Sequence, residues 1–366
     1  MGTGPLERGA VAPRFRRILI VKLSALGDIV HSLPVVDFLA RAAHGAEVDW
    51  AVDHRFAAVL EGNPGLRRVI PLDIRRWRRE WTTEEARREM SGAVRALRAG
   101  GYDAAFDIQG NAKSGVITRL SGASLRFGFD GDGVREKPNL LFTNRKVPLR
   151  PEDRHVSQKY LRVVSAPFGA SFDLSRLRAV IAIPPEVEES AEGILADLLP
   201  GSFPRVAVHA GTTWRTKKMD PAFWAAVVER LRMRFPRLGV CLSWGSGEEK
   251  IEAGEIRERA GGRVVLLPRT TLKELAAVFR ACGFAMAPDT GPLHVAAAAG
   301  TKTVSVFRAT DGNRNAPYGP NHRFLQAPLP CTACLKKRCD RDAECRESIL
   351  PEAVAKRMAE LVVGGY

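Results

Sequence analysis

Between Phe284 and Gly300 the chain reads FAMAPDTGPLHVAAAAG, and this run narrows the possible folds more than any other. Phe284 to Ala287 is an apolar stretch of buried-strand type, cut off by the turn residues Pro288-Asp289-Thr290-Gly291-Pro292. Leu293 to Ala299 then reads as an Ala-rich helix closed by Gly300, and Pro292 suits its first turn, where a missing N–H costs nothing. A strand, a tight loop and a helix of small side chains belong to a layered α/β packing. In an open parallel sheet ligands collect at strand ends, and the free N–H groups of the following helix favour an anion. Asp289 therefore has two readings: a simple helix cap, or part of a phosphate loop with Thr290 and Gly291.

The same unit recurs along the chain. Arg17 to Lys22 (RILIVK) is strand-like, Leu23 to Asp28 (LSALGD) is a loop with glycine at the turn, and helical spacing follows through Val30, Leu33, Val36 and Leu39. Pro34 has to open a helix or kink one. Strand signals return at Glu47 to Val52, Arg68 to Pro71, Tyr102 to Ile108 and Arg126 to Phe129. After a long helix and a linker over residues 151–180, punctuated by proline, they restart at Arg205 to His209, Gly239 to Trp244, Val264 to Leu267 and Thr303 to Phe307. Two β/α halves predict an α/β protein of two Rossmann-like domains facing across a cleft, the GT-B arrangement, with boundaries at 16–180 and 181–366. Residues 1–15 lack an apolar segment of signal type and read as a disordered tail. Epimerases and binding proteins share such an architecture, so it does not choose the activity.

A length of 366 residues supports two cores, and 45% apolar with 27% charged residues describes a soluble globular protein. No apolar run reaches the roughly 18 residues a membrane span needs, which places the protein in the cytoplasm. The net charge of +15 calls for an acidic partner: nucleic acid, an anionic membrane surface or a phosphorylated substrate. Ten arginines fall between Arg67 and Arg98, with Arg75, Arg76 and Arg79 grouped around Trp77. They read either as a solvated face paired with Glu80, Glu84, Glu85 and Glu89, or as a site for phosphate and carboxylate groups. Asp130 and Asp132 in a glycine loop read as a turn before they read as a metal-holding pair. There is no P-loop pattern and no G-x-G-x-x-G fingerprint, so neither ATP hydrolysis nor dinucleotide binding is indicated.

Cys241 and Cys282 lie in apolar runs. Cys331, Cys334, Cys339 and Cys345 form a C-x2-C-x4-C-x5-C series among basic residues. In a cytoplasmic protein that series suits a structural zinc or iron better than disulfides.

Two motifs carry a resemblance. VKLSALGDIVHSLP has an S-x-x-G-D-x-x-x-x-x-P pattern, and APDTGPLHVAAAAG contains D-T-G-x-x-H. From about Arg17 to the C-terminal helix the sequence resembles the family 9 glycosyltransferases, the heptosyltransferases of lipopolysaccharide core assembly. The Arg75 to Trp81 cluster, DIQGNAKS and Arg135 to Lys146 resemble the heptosyltransferase I branch more than the second heptosyltransferase. The resemblance implies inverting transfer of L-glycero-D-manno-heptose from ADP-heptose to Kdo of lipid A, without a cofactor, at the inner leaflet of the inner membrane. It makes Asp28 the base rather than only a helix cap. It puts the donor on Thr212, Thr213, Lys218 (with Lys217 as rival), Glu248 or Glu249, Asp289, Thr290, Gly291 and His294. His294 has a second reading as a packed helix residue. The Trp that should precede Pro221 is absent, because Met219-Asp220 stands there.

On the acceptor side Arg75, Arg76, Arg79, Lys113 and Arg135 would meet a polyanion such as Kdo2-lipid A, and a basic surface suits an anionic membrane. The competing readings are another family 9 transferase, an epimerase of the same fold, and a basic nucleic-acid-binding protein. The last would need aromatic stacking platforms or a helix-turn-helix, and the sequence displays neither.

Overall fold

Every strand among the described residues pairs in parallel, so each pair needs a crossover and the helices must cover both faces. A computed structural model describes residues 14–364. The expected tail therefore lies outside the described residues up to residue 13, whereas Phe15 is buried against Phe168 with ring centroids 5.7 Å apart.

The first sheet contains β1 (Arg17–Val21), β2 (Glu47–Asp53), β3 (Arg68–Leu72), β4 (Ala104–Asp107), β5 (Leu125–Phe129) and β6 (Arg145–Val147), in the order β3-β2-β1-β4-β5-β6. The second contains β7 (Arg205–Val208), β8 (Gly239–Leu242), β9 (Val264–Leu266), β10 (Gly283–Pro288), β11 (Lys302–Phe307) and β12 (His322–Gln326). Its order, β9-β8-β7-β10-β11-β12, repeats the first sheet position for position. Both are the doubly wound order, in which the chain reverses direction across the sheet beside its first strand. The reversals fall between β1 and β4 and between β7 and β10. The GT-B expectation is met.

The central strands are the ones apolar patterning finds, since they are buried on both faces: Ile18 to Val21 and Val206 to Val208 are fully buried. The two that it misses, β6 and β12, are the matching outer strands of the two sheets. Their sequences RKV and HRFLQ carry the charge typical of edge strands. Proline opens helices throughout, at Pro34, Pro185, Pro221, Pro292 and Pro351. Pro34 divides the expected first helix into Leu26–Ser32 and Pro34–Ala42. The linker helix is short, Val156–Ser165, and Pro167 falls in the 3-10 turn that follows it.

One apolar cluster joins the halves. It runs from Ile18, Trp50 and Phe106 through Leu161 and Leu195 to Phe279 and Val295. A second lies within the C-terminal half, where the last helix (Pro351–Val363) packs Val354 and Met358 with Trp224 and Met286. No described helix is long and apolar enough to cross a membrane.

Candidate active site

The loops that follow β1 and β4 are tied together from within. Gln109 Oε1 accepts the N–H groups of Leu23 and Ser24, each at 3.1 Å. Asp107 is fully buried and takes the N–H groups of Gln109 and Gly110, the Ser114 hydroxyl and the Asn139 amide. Burial pushes the Asp107 carboxyl up while these four donors resist it. Gly110 has a φ of +73°, which glycine adopts without strain. Its carbonyl accepts the Glu136 N–H at 3.0 Å and so hangs the Arg135 loop beside the site.

Asp28 stands in the first turn of helix Leu26–Ser32. One carboxylate oxygen accepts the Ala25 N–H at 3.4 Å, and the other accepts the Tyr160 hydroxyl at 3.1 Å. Tyr160 in turn accepts a hydrogen bond from Lys22 Nζ at 2.9 Å. Burial opposes ionisation of Asp28, but Lys22, the Ala25 N–H, Tyr160 and Arg314 outweigh it and hold the carboxyl below its ordinary range. Asp28 is thus an ionised carboxylate at neutral pH. It is partly buried, and the charge of Arg314 from the C-terminal half acts on it.

In the C-terminal half, β10 ends at Pro288, Asp289 follows in the loop, and the helix Gly291–Ala298 comes next, with Thr290 at its cap and Pro292 in its first turn. Asp289 is the hub of this loop. Lys217 Nζ lies 2.7 Å from one oxygen, the Thr310 hydroxyl donates to the same oxygen at 2.6 Å, and His294 Nε2 is 3.6 Å from the other. Burial would raise this carboxyl, but the His294 contact and the Lys217 charge take it far below the usual range. The Thr212 hydroxyl donates to the Asp289 carbonyl at 3.2 Å, closing the β7 loop onto the β10 loop.

The two lysines differ. Lys217 faces Asp289, whereas the Lys218 ammonium is held by Glu252, with Glu248 at 3.5 Å. The two glutamates differ as well. Glu248 is exposed, while Glu249 folds back over the β7 loop and accepts the Gly245 N–H at 2.7 Å. A Cβ at Gly211 would meet Glu249 Cδ at 2.3 Å, so this approach requires glycine. Thr213 is exposed beside Trp214, at the mouth of a cavity of about 480 Å³ shared with the cysteine segment.

The two motifs meet in space. Helix Leu26–Ser32 packs on helix Gly291–Ala298. A Cβ on Gly27 would come within 2.7 Å of the His294 ring, and a Cβ on Gly291 within 2.8 Å of Leu26. His294 therefore sits in a seat made by the glycine beside Asp28. His31 lies against it at 4.2 Å between ring centroids, and His155 lies 5.2 Å from His31. His155 accepts the Ser157 N–H at Nδ1, so it is Nε2 that donates to the Ala316 carbonyl at 2.9 Å. With His322 these rings line an interdomain cavity of about 170 Å³. Burial, then the neighbouring imidazoles, holds His31 well below its ordinary range; burial takes His155 and His322 down to about 4.

The arginine cluster divides. Arg76 is claimed by Glu80, Glu85 and Glu89, and Arg79 by Glu80, which is the solvated-face reading for these two. Arg75 is exposed on the same helix, which starts where β3 ends. Lys113 is exposed in the first turn of helix Ala112–Leu120, and Arg135 is exposed but close enough for its charge to act on Lys22 and Tyr160.

The structural-metal expectation for the cysteine series finds no support. Cys331, Cys334, Cys339 and Cys345 are free thiols, and no group of three or more Cys, His, Asp or Glu converges as a metal site among the described residues. The segment is anchored instead by the buried Arg308–Asp342 pair at 2.6 Å and by the Thr216 hydroxyl on the Lys336 carbonyl at 2.6 Å. Sequence reading also passed over Lys22, Tyr160 and Arg314. Lys22 left one faint signal, a lysine closing an apolar strand run.

The family profile of "Glycosyltransferase family 9 (heptosyltransferase)" matches residues 91–343. The chain is 34% identical over 323 residues to lipopolysaccharide heptosyltransferase 1 of Pseudomonas aeruginosa, covering 88% of this chain and 87% of the relative. Two solved structures align along most of their length. Escherichia coli heptosyltransferase WaaC with ADP is 27% identical with a TM-score of 0.77, covering 94% of this chain and 99% of that one. The same enzyme with ADP-2-deoxy-2-fluoro heptose is 29% identical with a TM-score of 0.70, covering 87% and 97%.

Proposed function

Since the chain belongs to glycosyltransferase family 9, we propose that it is a heptosyltransferase of lipopolysaccharide core synthesis, transferring L-glycero-D-manno-heptose from ADP-heptose to Kdo of lipid A with inversion. The observation that carries this reading is the meeting of the Asp28 loop with the Asp289–His294 loop, each at the strand ends where its sheet reverses. One side supplies an ionised carboxylate, the other a helix N-terminus and a lysine.

In this mechanism Asp28 takes the proton of the acceptor hydroxyl while that oxygen attacks C1 of the heptose from the face opposite the diphosphate. The C1–O bond to ADP breaks as the new bond forms, and the departing diphosphate keeps the electron pair. The N–H groups at Thr290 and Gly291 and the Lys217 ammonium stabilise that charge. Lys217 suits this role better than Lys218 by its place: it sits on the Asp289 loop beside the helix N-terminus, whereas Lys218 is turned towards Glu252 and Glu248. Glu249, held by the Gly245 N–H beside Gly211, would accept the ribose hydroxyls. Exposed Arg75, Lys113 and Arg135 extend from the N-terminal half, which takes the acceptor, while the C-terminal half takes the donor. The charge of +15 supports a peripheral position at the anionic cytoplasmic face of the inner membrane.

The relatives named heptosyltransferase 1 favour this acceptor over that of the second heptosyltransferase. The deciding experiment is ADP release from ADP-heptose with and without Kdo2-lipid A. Acceptor-dependent release supports the reading; release only with an already heptosylated core moves the enzyme to the next step.

A further inference from the structure

We infer that Tyr160 and Lys22 are positioning residues for the transfer, forming a buried Lys22–Tyr160–Asp28 chain that orients the reacting carboxylate and keeps it ionised. The inference rests on the reading of Asp28 as base.

Lys22 is the starting point. It is 2% exposed, and among the described residues no carboxylate lies within ion-pair distance of it. A buried ammonium without a touching counter-ion is costly, and an apolar side chain would fill the same space without that cost. Its hydrogen-bond acceptors are the Tyr160 hydroxyl at 2.9 Å and the Ile108 carbonyl at 3.4 Å, and its ammonium also lies 4.3 Å from the centre of the Tyr160 ring.

The Tyr160 hydroxyl has one proton to give, and it gives it to Asp28 at 3.1 Å. The three members come from three elements: the end of β1, the interdomain helix Val156–Ser165 and the helix Leu26–Ser32. A carboxylate that merely capped its helix would need the Ala25 N–H alone. Here that bond is the long one, at 3.4 Å. The second support runs through the core to a buried charge.

The surrounding charges fit the same purpose. Asp107 at the end of β4, Arg135 after β5 and Arg314 in the turn Gly312–Asn315 all act on Lys22. Burial, with Arg135 and Arg314, brings its pKa down to about 8 against the pull of Asp28 and Asp107. Tyr160 is pushed well above its usual range by burial and by Asp28, so it remains a proton donor to the carboxylate at every working pH.

The test is the pH dependence of kcat/KM for acceptor-dependent ADP release. Losing either supporting group disfavours the Asp28 anion, so the acid limb in Tyr160→Phe should move up by about one pH unit. Lys22→Met should move it at least as far. Tyr160→Phe should also lower kcat about tenfold or more while ADP affinity and melting temperature stay near wild type. Should Lys22→Met not fold, Tyr160→Phe alone decides. An acid limb unmoved in Tyr160→Phe, with Asp28→Asn inactive, overturns the chain and leaves the base in place. An active Asp28→Asn overturns the base itself.

Discussion

The His294 ring fills the space that a side chain on residue 27 would need: a Cβ on Gly27 would approach its Cδ2 to 2.7 Å. Two motifs some 260 positions apart in the chain thus interlock, one glycine receiving one imidazole, at the seam between the two sheets. Gly291 and Leu26 repeat the arrangement in the opposite sense. The seam places Asp28 and the Asp289 loop on the same cleft, and its packing is open to direct measurement.

Gly27→Ala should destabilise the protein by about 1–3 kcal/mol, the usual cost of overfilling a packed contact. The double variant Gly27→Ala/His294→Ala should recover a large part of that loss, because the clash is removed. Denaturant unfolding of the four members of the cycle measures the coupling. Strictly additive losses would mean that the seam relaxes around residue 27.

Asp28→Asn should lower turnover by at least about 10²-fold, the lower range for loss of a general base. ADP binding, followed calorimetrically, should hardly change, because the nucleotide loops lie in the other half. Near-normal turnover would remove Asp28 from the chemistry.

Lys217→Ala and Lys218→Ala should separate. Lys217 neutralises a nearly buried Asp289, so its loss should cost about 1–3 kcal/mol of stability and sharply reduce turnover of ADP-heptose. Lys218 is partly exposed and paired at the surface. Its loss should cost less than about 1 kcal/mol and leave the donor KM nearly unchanged. Equal donor kinetics in the two variants would contradict the assignment of Lys217 to the diphosphate.

Acid should loosen the seam. His155 and His322 have folded-state pKa values of about 4, below the ordinary imidazole value, and His31 is lowered as well. The unfolded chain therefore binds more protons than the folded one, and stability falls as pH drops from about 6.5 towards 4. Asp28 and Asp289, whose pKa values are also lowered, add their loss only below the normal carboxylate range. Melting temperature against pH should decline across the imidazole window, and His155→Gln should flatten that decline. A flat profile between pH 6.5 and about 5 would show that the rings are solvated.

Much of this protein was legible before any coordinates. Buried parallel strands must be continuously apolar, so β1, β2, β7, β8, β10 and β11 announce themselves, as do the turn residues at their ends. Proline and glycine mark the helix starts and stops for the same local steric reasons. The outer strands β6 and β12 were invisible because an edge needs charge rather than apolar pattern. The cysteine spacing pointed to a metal, but spacing along a chain does not set where four thiols point, and here they do not converge.

Local chemistry in the sequence determined the two-sheet architecture, the loops that end the central strands and the two motifs of the cleft. Only the tertiary structure decided which partner each side chain keeps. It gave Lys217 to Asp289 and Lys218 to Glu252, tied Arg76 into glutamates while leaving Arg75 free for the solvent, and brought Lys22 and Tyr160 to Asp28. These choices depend on distances between residues far apart in the chain and on burial that strengthens each charge. Neither is a property of any local run of sequence.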